Sequence, residues 1–548
     1  METVYWSIIA RAMRKKNITE KDLAAIKRRV LAKTGIRHIP SHVTLLRAYR
    51  AMMLNGKARF SPALAELLKK RKVRTLSGIA SVSVILPSFP CPGKCLFCPT
   101  EKGLPKSYLS SEPAVMRAIA NDFDPYRQTR ARIEALQRAG HSTEKIELII
   151  IGGTWSYYPK KYQLWFVTRC LHAANEAVET KKTYAPAAPP PQSVGSLTKQ
   201  LLLAQQKNER ARNRIIGITA ETRPDHIDKK EIALLRLVGI TRVEIGVQSI
   251  DEVILKKNTR GHGIEAITRA TALLKDAGFK VTYHIMPGLY GATTEKDRAA
   301  FKKLFDDQRF KPDYLKLYPC VVLKHSPLYR LYRQGRYVPY DTKTLTLLLA
   351  QCKKEVPYYT RIIRVIRDVP SPNVVAGNKI SNLREHVKAL MSKKGWECRC
   401  IRCREVKGVP VLKKNMVMFR SEYDASDGKE LFLSYEDRDR KHLFAFLRLR
   451  IPSPRSPLAL FGANSHTYGL IRELHTYGVA LPVGTKKSSA AQHRGLGKQL
   501  LEEAENIAAV DFGMKQLAII SGVGVRPYYK KFGYRLKNTY MIKALSGK

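Results

Sequence analysis

The sequence predicts an α/β protein: a partial (βα)6 barrel, then a smaller α+β domain, behind a basic helical region. Three observations predict it. Short apolar runs alternate with helical stretches between residues 80 and 318, the pattern of βαβ units that build a parallel sheet. From about residue 405 the runs follow one another as a meander, and a glycine-rich loop then opens a helix. The first 80 residues hold 19 Lys and Arg against 4 Asp and Glu, with apolar residues at helical spacing. The expected domains are 1–79, 80–385, a cysteine-bearing linker at 386–410, and 411–548.

The basic region reads as helices. Ile8, Met13, Leu23, Ile26, Val30 and Leu31 form apolar faces, flanked by Arg14, Lys15, Lys16 and by Lys27, Arg28, Arg29. A further helix, Val43 to Leu54, leads to the run Lys69, Lys70, Arg71, Lys72, Arg74. The whole chain of 548 residues carries a formal net charge of +52. That excess repels itself in a compact chain, so a polyanionic partner is expected. A hydrophobic fraction of 44% excludes wholesale disorder.

The barrel strands are expected at Ala80 to Leu86, Ile146 to Ile151, Ile215 to Ala220, Val243 to Val247, Val281 to Met286 and Tyr314 to Tyr318. Ala185 to Gln192, with four prolines, reads as a mobile surface insertion. In the last domain Leu431 to Leu433, Leu443 to Ile451 and Leu470 to Ala480 read as meander strands. A helix at Leu500 to Ala509 and a strand at Leu517 to Ile520 follow. No run of 18 apolar residues occurs, and Met1 to Lys16 lacks the pattern of a signal peptide. A cytoplasmic protein without membrane contact is expected. In that reducing compartment nine cysteines argue for metal or catalysis rather than disulfides.

Six of those cysteines sit in two clusters. Cys91, Cys95 and Cys98 share one short loop directly after the first barrel strand. Three thiolates there can hold three irons of a [4Fe–4S] cube and leave the fourth iron open. An open iron can chelate S-adenosylmethionine, whose one-electron cleavage releases a 5′-deoxyadenosyl radical. The alternatives are a zinc knuckle that lacks its fourth ligand, or accidental thiols. The electron must come from a donor that the sequence does not specify. Cys398, Cys400 and Cys403 form the second cluster at the domain boundary. Structural zinc wants four ligands, and Cys320 is the first choice for the fourth, with His386 the second. A second iron–sulfur cluster and free thiols stay open as alternatives.

Gln492-His493-Arg494-Gly495-Leu496-Gly497 opens the C-terminal helix after a strand. Backbone N–H groups and the helix dipole there form an anion cradle. Lys316 and Tyr318, on the last barrel strand, are chosen from the sequence as candidates for the reaction site, although a strand lysine pairing a carboxylate reads equally well.

Cys-x3-Cys-x2-Cys after the first barrel strand resembles the signature of the radical SAM superfamily. The resemblance implies that the turn Gly152-Gly153-Thr154 meets the methionyl amino group. Gln248, in Gly246-Val247-Gln248, and Met286-Pro287-Gly288 end later strands, where barrel sites lie. The pattern Gln/Arg-x-x-Gly-x-Gly resembles the pyrophosphate loop of GNAT acetyltransferases, which bind acetyl-CoA. That likeness implies that Glu473, Leu474, His475 and Thr476 lend backbone groups to pantetheine and that Tyr528 or Tyr529 reaches the thioester.

A radical SAM barrel fused to a GNAT domain resembles the family of Elongator catalytic third subunits, the tRNA wobble-uridine acetyltransferases. The likeness covers nearly the whole chain. It includes Asn121 to Arg127, Gly140 to Glu147, Ile151 to Thr154, Glu221 to Asp225 and Ser521 to Arg526. It implies that acetyl-CoA and the deoxyadenosyl radical together form 5-carboxymethyluridine at position 34, in the anticodon stem-loop of tRNA, with Lys145 at the acetyl-CoA site. The short Cys91 loop and the intact Cys398 cluster resemble the bacterial and archaeal type, so a monomer or homodimer is expected. The rival reading is a protein-lysine acetyltransferase with a structural Fe–S barrel, and a third is a tRNA-binding module without chemistry.

Overall fold

A computed structural model of the protein describes residues 2–15, 17–36, 38–69, 78–176, 193–406, 416–456, 458, 467–477 and 495–545. Lys70, Arg71, Lys72, Arg74, the proline-rich 185–192 stretch, and Gln492, His493 and Arg494 lie outside the described residues.

The strands of the chain are β1 Ala80–Ile85, β2 Lys145–Ile151, β3 Arg214–Thr222, β4 Arg242–Gln248, β5 Lys280–Ile285, β6 Tyr314–Leu317, β7 Val322–Leu323, β8 Arg361–Arg364 and β9 Val374–Ala376. Then come β10 Val417–Ala425, β11 Gly428–Glu436, β12 Leu443–Ile451, β13 Tyr468–Thr476, β14 Gln516–Ile519, β15 Arg535–Lys537 and β16 Tyr540–Ala544. Among the described residues the first sheet is parallel throughout, in the order β1-β2-β3-β4-β5-β6-β8. It is a half-barrel whose edges, β1 and β8, do not pair with each other.

Alternate residues on each strand point to opposite faces. Val82, Val84, Leu148, Ile150, Val243, Ile245, Val247, Val281, Tyr283, Leu315 and Leu317 join the buried core under the outer helices. Their neighbours Ser83, Ile149, Glu244, Gly246, His284, Lys316 and Tyr318 line the lumen instead. The helix that leads into β2 shows the local logic. Asp124 caps Pro125–Arg138 by accepting from the Arg127 N–H at 2.8 Å, and Pro125 stands where no intrahelical N–H is needed.

All six expected barrel strands are present within a residue or two of their expected bounds. The seventh strand, β8, was not anticipated. Its sequence, Arg-Ile-Ile-Arg, has a half-buried pattern and no apolar run.

The second sheet runs β10-β11-β12-β13-β14-β16-β15, antiparallel except for β13 against β14. The helix Leu496–Asn506 precedes β14 and packs through Leu496, Leu500, Leu501 and Ala504 onto Leu433, Leu447 and Ile471. At the N-terminus, helices Glu2–Met13, Glu20–Thr34, His42–Leu54 and Pro62–Leu68 share a core of Ile8, Leu23, Leu45, Tyr49 and Leu64. This bundle touches the barrel at Gly140, where an added Cβ would lie 3.0 Å from Leu46 Cδ2. No helix among the described residues is long and apolar enough to cross a membrane.

The barrel and the second sheet meet through buried charge. Arg472 on β13 binds Asp313, just before β6, and donates from Nη1 to Glu430 Oε2 on β11 at 2.8 Å. Arg450 on β12 reaches Asp276 Oδ1 at 2.6 Å and Glu430 Oε1 at 3.1 Å. Lys275 Nζ stands 3.6 Å from Glu430 Oε1. Side chains this deeply covered are stable only because each charge faces an opposite one. A second junction is closer still. A Cβ on Gly522 would overlap the Ile216 carbonyl oxygen, and one on Gly524 would come within 2.7 Å of Arg214 Cβ. The loop after β14 is thus laid directly on β3.

Candidate active site

The lumen of the half-barrel is a cavity of about 710 Å³, a size suited to a bound small molecule. Cys91, Cys95 and Cys98 line it at the C-terminal ends of the strands, where sites in such folds lie. Cys95 Sγ accepts from Arg260 Nη1 at 2.9 Å. Cys91 Sγ stands 4.0 Å from Thr154 Oγ1. The loop is held tight: Leu96 N–H donates to the Asn258 carbonyl at 3.2 Å, and Leu328 N–H to the Leu96 carbonyl at 2.8 Å. A Cβ on Gly93 would sit 2.5 Å from Arg223 Nη1, so this position needs room rather than freedom of φ.

The donor set fits an iron–sulfur cluster. Burial first, then the neighbouring Cys95, pushes the Cys98 thiol up to about 11, so its ionisation at neutral pH requires positive charge such as a metal supplies. The guanidinium of Arg223 faces this loop, with Nη1 buried and without a hydrogen-bond partner. The three sulfurs are not among the groups whose ligand atoms converge within 4.8 Å. A single ion needs that convergence, whereas a cube takes each thiolate on a different iron.

Two sequence-chosen turns frame the same cavity. Gly152 has φ +122, and a Cβ there would lie 2.9 Å from Leu86 N. Gly153, Thr154 and Gln248 line the cavity. Gln248 takes φ +67, rare for a side-chain-bearing residue, and strain of this kind collects at ligand sites. Its Oε1 is buried without a partner.

Deeper in the lumen Lys316 binds Glu244, and its Nζ lies 3.5 Å from Glu221 Oε1. His284 Nε2 stands 3.0 Å from Glu244 Oε2, and Tyr108 donates to Glu221 at 2.8 Å. Burial works against the Glu244 charge, yet Lys316 and His284 hold its carboxyl well below the usual range. Burial likewise opposes the Lys316 charge, and Glu244 more than restores it. Lys316 therefore pairs a carboxylate and also faces the cavity with Tyr318. Glu244, His284, Tyr108 and Arg260 were not singled out from the sequence. The available signal was charged or polar residues at alternate positions of apolar strands, for example Glu244 between Val243 and Ile245.

The Cys398, Cys400 and Cys403 sulfurs converge within 4.8 Å. Two thiolates about 2.3 Å from one zinc lie roughly 3.8 Å apart, so the three fit a single ion. Hydrogen bonds from Cys398 and Cys403 hold the Cys400 thiol well below its usual range. Ile401 N–H donates to the Thr360 carbonyl at 3.0 Å, and Arg384 Nη2 to the Ile363 carbonyl at 3.1 Å, tying the cluster to the β8 edge. Cys320 does not join it. That cysteine packs with Cys95, Phe97 and Tyr337 under the first loop, where its thiol meets Tyr337. The chain between Cys320 and β8 carries the two apart. His386 lies on the helix Leu383–Lys393 and is not among the converging ligands either.

On the second sheet the β13–β14 ladder ends at Ile471 and Ile519, while the β12–β13 ladder continues through Glu473, Leu474, His475 and Thr476. The two parallel strands thus diverge beside the start of helix Leu496–Asn506. Gly495 enters that helix at φ +76. A Cβ on Gly497 would meet the Tyr528 hydroxyl at 2.8 Å and Thr476 Oγ1 at 3.7 Å. Tyr528 is 38% exposed at this notch, whereas Tyr529 is 7% exposed and packs in the sheet core. Of the two tyrosines that the sequence left open, Tyr528 is the one accessible at the notch, and Tyr529 is buried. Lys145 begins β2, and His475 is made less basic first by burial and then by the nearby cations Arg361 and Lys145.

Residues 85–304 match the Radical SAM superfamily, and residues 312–393 match the Radical_SAM C-terminal domain. A tRNA uridine(34) acetyltransferase of Methanocaldococcus infernus is 43% identical over 88% of this chain and 88% of its own length. One from Dehalococcoides mccartyi is 43% identical over 87% of this chain and 100% of its own. Elongator complex protein 3 of Bos taurus is 38% identical over 96% and 93%. A solved structure of the archaeal Methanocaldococcus infernus Elp3 with an N-terminus deletion (1-46) has a TM-score of 0.72 at 39% identity, covering 86% of this chain and 100% of its own. With its radical SAM half-barrel, its helical N-terminus and its second sheet, the chain belongs to the family of the tRNA uridine(34) acetyltransferases and Elongator complex protein 3.

Proposed function

We propose that this protein modifies uridine 34 of tRNA, building 5-carboxymethyluridine from acetyl-CoA by a radical route. The observation that carries the reading is the lumen, where the Cys91 loop and the Lys316–Glu244–His284 cluster face one cavity. Carbon 5 of uridine is a poor partner for ordinary acyl transfer, so a cavity with only acid–base groups would not suffice. When bound, the cluster and S-adenosylmethionine supply a carbon-centred radical able to take hydrogen from an acetyl methyl group.

The chain's own residues do the rest. Cys91, Cys95 and Cys98 would hold the cluster, and Arg223 and Arg260 offset its negative charge. Gly152, Gly153, Thr154 and Gln248 would hold S-adenosylmethionine. The diverging β13 edge, Glu473 to Thr476, and the GNAT-like helix start at Gly495 and Gly497 would hold acetyl-CoA, with Tyr528 at the thioester and Lys145 close by. Cys398, Cys400 and Cys403 would hold a structural zinc ion. Lys316 would orient the uracil carbonyls, and its carboxylate partners would keep it charged. The basic N-terminal helices would contact tRNA phosphates, which position without reading sequence. A single-stranded anticodon base can be splayed into the lumen.

The test is nucleoside mass spectrometry on unmodified tRNA, after anaerobic reconstitution with iron and sulfide and addition of S-adenosylmethionine, acetyl-CoA and a reductant. The expected product is 5-carboxymethyluridine, lost in Cys95→Ala while tRNA binding persists. Product that survives Cys95→Ala would sink the radical route. Acetylated peptide without 5′-deoxyadenosine would favour a lysine acetyltransferase.

A further inference from the structure

The lumen does not end at the radical site. Its lining runs from Cys91 and Cys98 at the C-terminal ends of the strands down to Ser81 and Arg242 near the N-terminal ends. Arg242 forms the floor. Its Nη1 stands 2.8 Å from Glu147 Oε1 and its buried Nε 3.7 Å from Glu244 Oε1, an ion pair too long for a hydrogen bond, and its guanidinium lies 5.3 Å from the Tyr314 ring centre. Tyr314 in turn donates to Glu473 of β13.

Beneath the floor lies the divergent edge of that strand. Residues Glu473 to Tyr477 cross the N-terminal ends of the barrel: Glu473 meets Tyr314 of β6, and the Tyr477 hydroxyl accepts from Arg361 Nη1 of β8 at 2.9 Å. One layer of side chains, Arg242 with Glu147 and Tyr314, separates the cavity from the edge assigned to the acetyl donor.

We infer that the half-barrel lumen is the conduit for the acetyl group, and that the Arg242–Glu147 pair is the partition that parts to admit it. The acetyl group travels as its thioester on the pantetheine arm, and no bond is made or broken on the way. The inference rests on the functional reading above. A floor closed by an ion pair suits this use. It can be swung aside by a polar arm, whereas packed aliphatic side chains would leave a void. Arg242 is then a positioning residue, acting through the space that it fills or clears.

Ser83 of β1 and Ile149 of β2 are register partners, and both line the cavity midway between floor and cysteines. Ile149→Trp and Ser83→Trp each narrow the conduit from one wall, and neither side chain belongs to the cofactor-holding set. The reconstituted full-length protein is assayed for 5′-deoxyadenosine, for acetyl-CoA binding and for 5-carboxymethyluridine in tRNA. The expected result is 5′-deoxyadenosine and acetyl-CoA binding within about twofold of the parent, with modified tRNA down by at least about tenfold. Ile149→Ala, which leaves the conduit open, keeps parental activity. Glu147→Gln removes the nearer of the two carboxylates that hold Arg242, leaving Glu244, and shifts the KM for acetyl-CoA while the rate of 5′-deoxyadenosine formation stays unchanged.

Unchanged modification in both tryptophan variants would overturn the conduit. So would an equal fall in 5′-deoxyadenosine, because the rings would then be blocking the radical chamber itself. A parent protein that makes no 5-carboxymethyluridine would instead sink the functional reading, a distinguishable failure.

Discussion

Lys316 and Glu244 pair inside the lumen, and each holds the other in its charged form. The folded Glu244 value is depressed, so its contribution is present above about pH 4 and is lost as pH falls. The folded Lys316 value is raised, so its contribution is present below about pH 10 and is lost only above that. The pH–rate profile should therefore show no break from this pair between about pH 5 and pH 10. Lys316→Met leaves the Glu244 carboxylate without its main partner, and 5-carboxymethyluridine formation should fall by about 10²-fold while 5′-deoxyadenosine persists. His475, by contrast, is held in its uncharged form. Burial brings it down to about 4, below its unfolded value of about 6.5, so the unfolded chain takes up a proton first. Stability should drop as pH falls from about 6.5 towards 4, and His475→Gln should flatten that slope in thermal melts recorded across the interval.

Single elements show where folding and function are joined. Gly522 has φ −67, a conformation open to any residue, so it is glycine for room against the Ile216 carbonyl. Gly522→Ala should lower stability by about 2 kcal/mol through that overlap, seen as a loss of denaturation midpoint at unchanged m-value. The Cys398 to Cys403 loop fastens the β8 edge, and if it holds the proposed zinc ion, Cys400→Ser should abolish zinc in metal analysis and lower Tm. These elements were unevenly legible in the sequence. The barrel strands were plain, because their outer faces are continuous apolar positions under helices, as in Val243, Ile245 and Val247. β10 was missed because it alternates half-buried and exposed residues and carries Arg420, Glu422 and Asp424. The cysteine loop was readable from spacing alone. The lumen cluster was not, because Glu221, Glu244, His284 and Lys316 come from four strands and meet only when the sheet curls. Cys320 misled for a related reason: nearness in sequence to the last barrel strand said nothing about which end of the sheet its loop would reach.

At the scale of the whole molecule, charge serves two separate ends. The exposed excess is the part proposed above to meet tRNA phosphates. Deleting residues 1–79 should weaken tRNA binding and reduce the slope of log affinity against log salt, as fewer phosphate contacts release fewer counterions. The buried charge holds the barrel to the second sheet. Asp313→Asn would leave Arg472, Lys275 and Arg448 facing one another with a weaker partner, and should cost about 3–5 kcal/mol, read from chemical denaturation. The carboxyl of Asp313 is held well below its usual range against the cost of burial, so this part of the stability is present above about pH 4 and is lost in acid. The Asp276–Arg450 and Asp313–Arg472 pairs also set a limit on dissection. Each crosses from the half-barrel to the second sheet, so a cut anywhere between residues 406 and 416 strands unmatched ions on two freshly exposed faces. Neither fragment should be obtainable alone as a folded enzyme. Produced together in one cell, the two pieces should find each other and co-purify as a nicked whole.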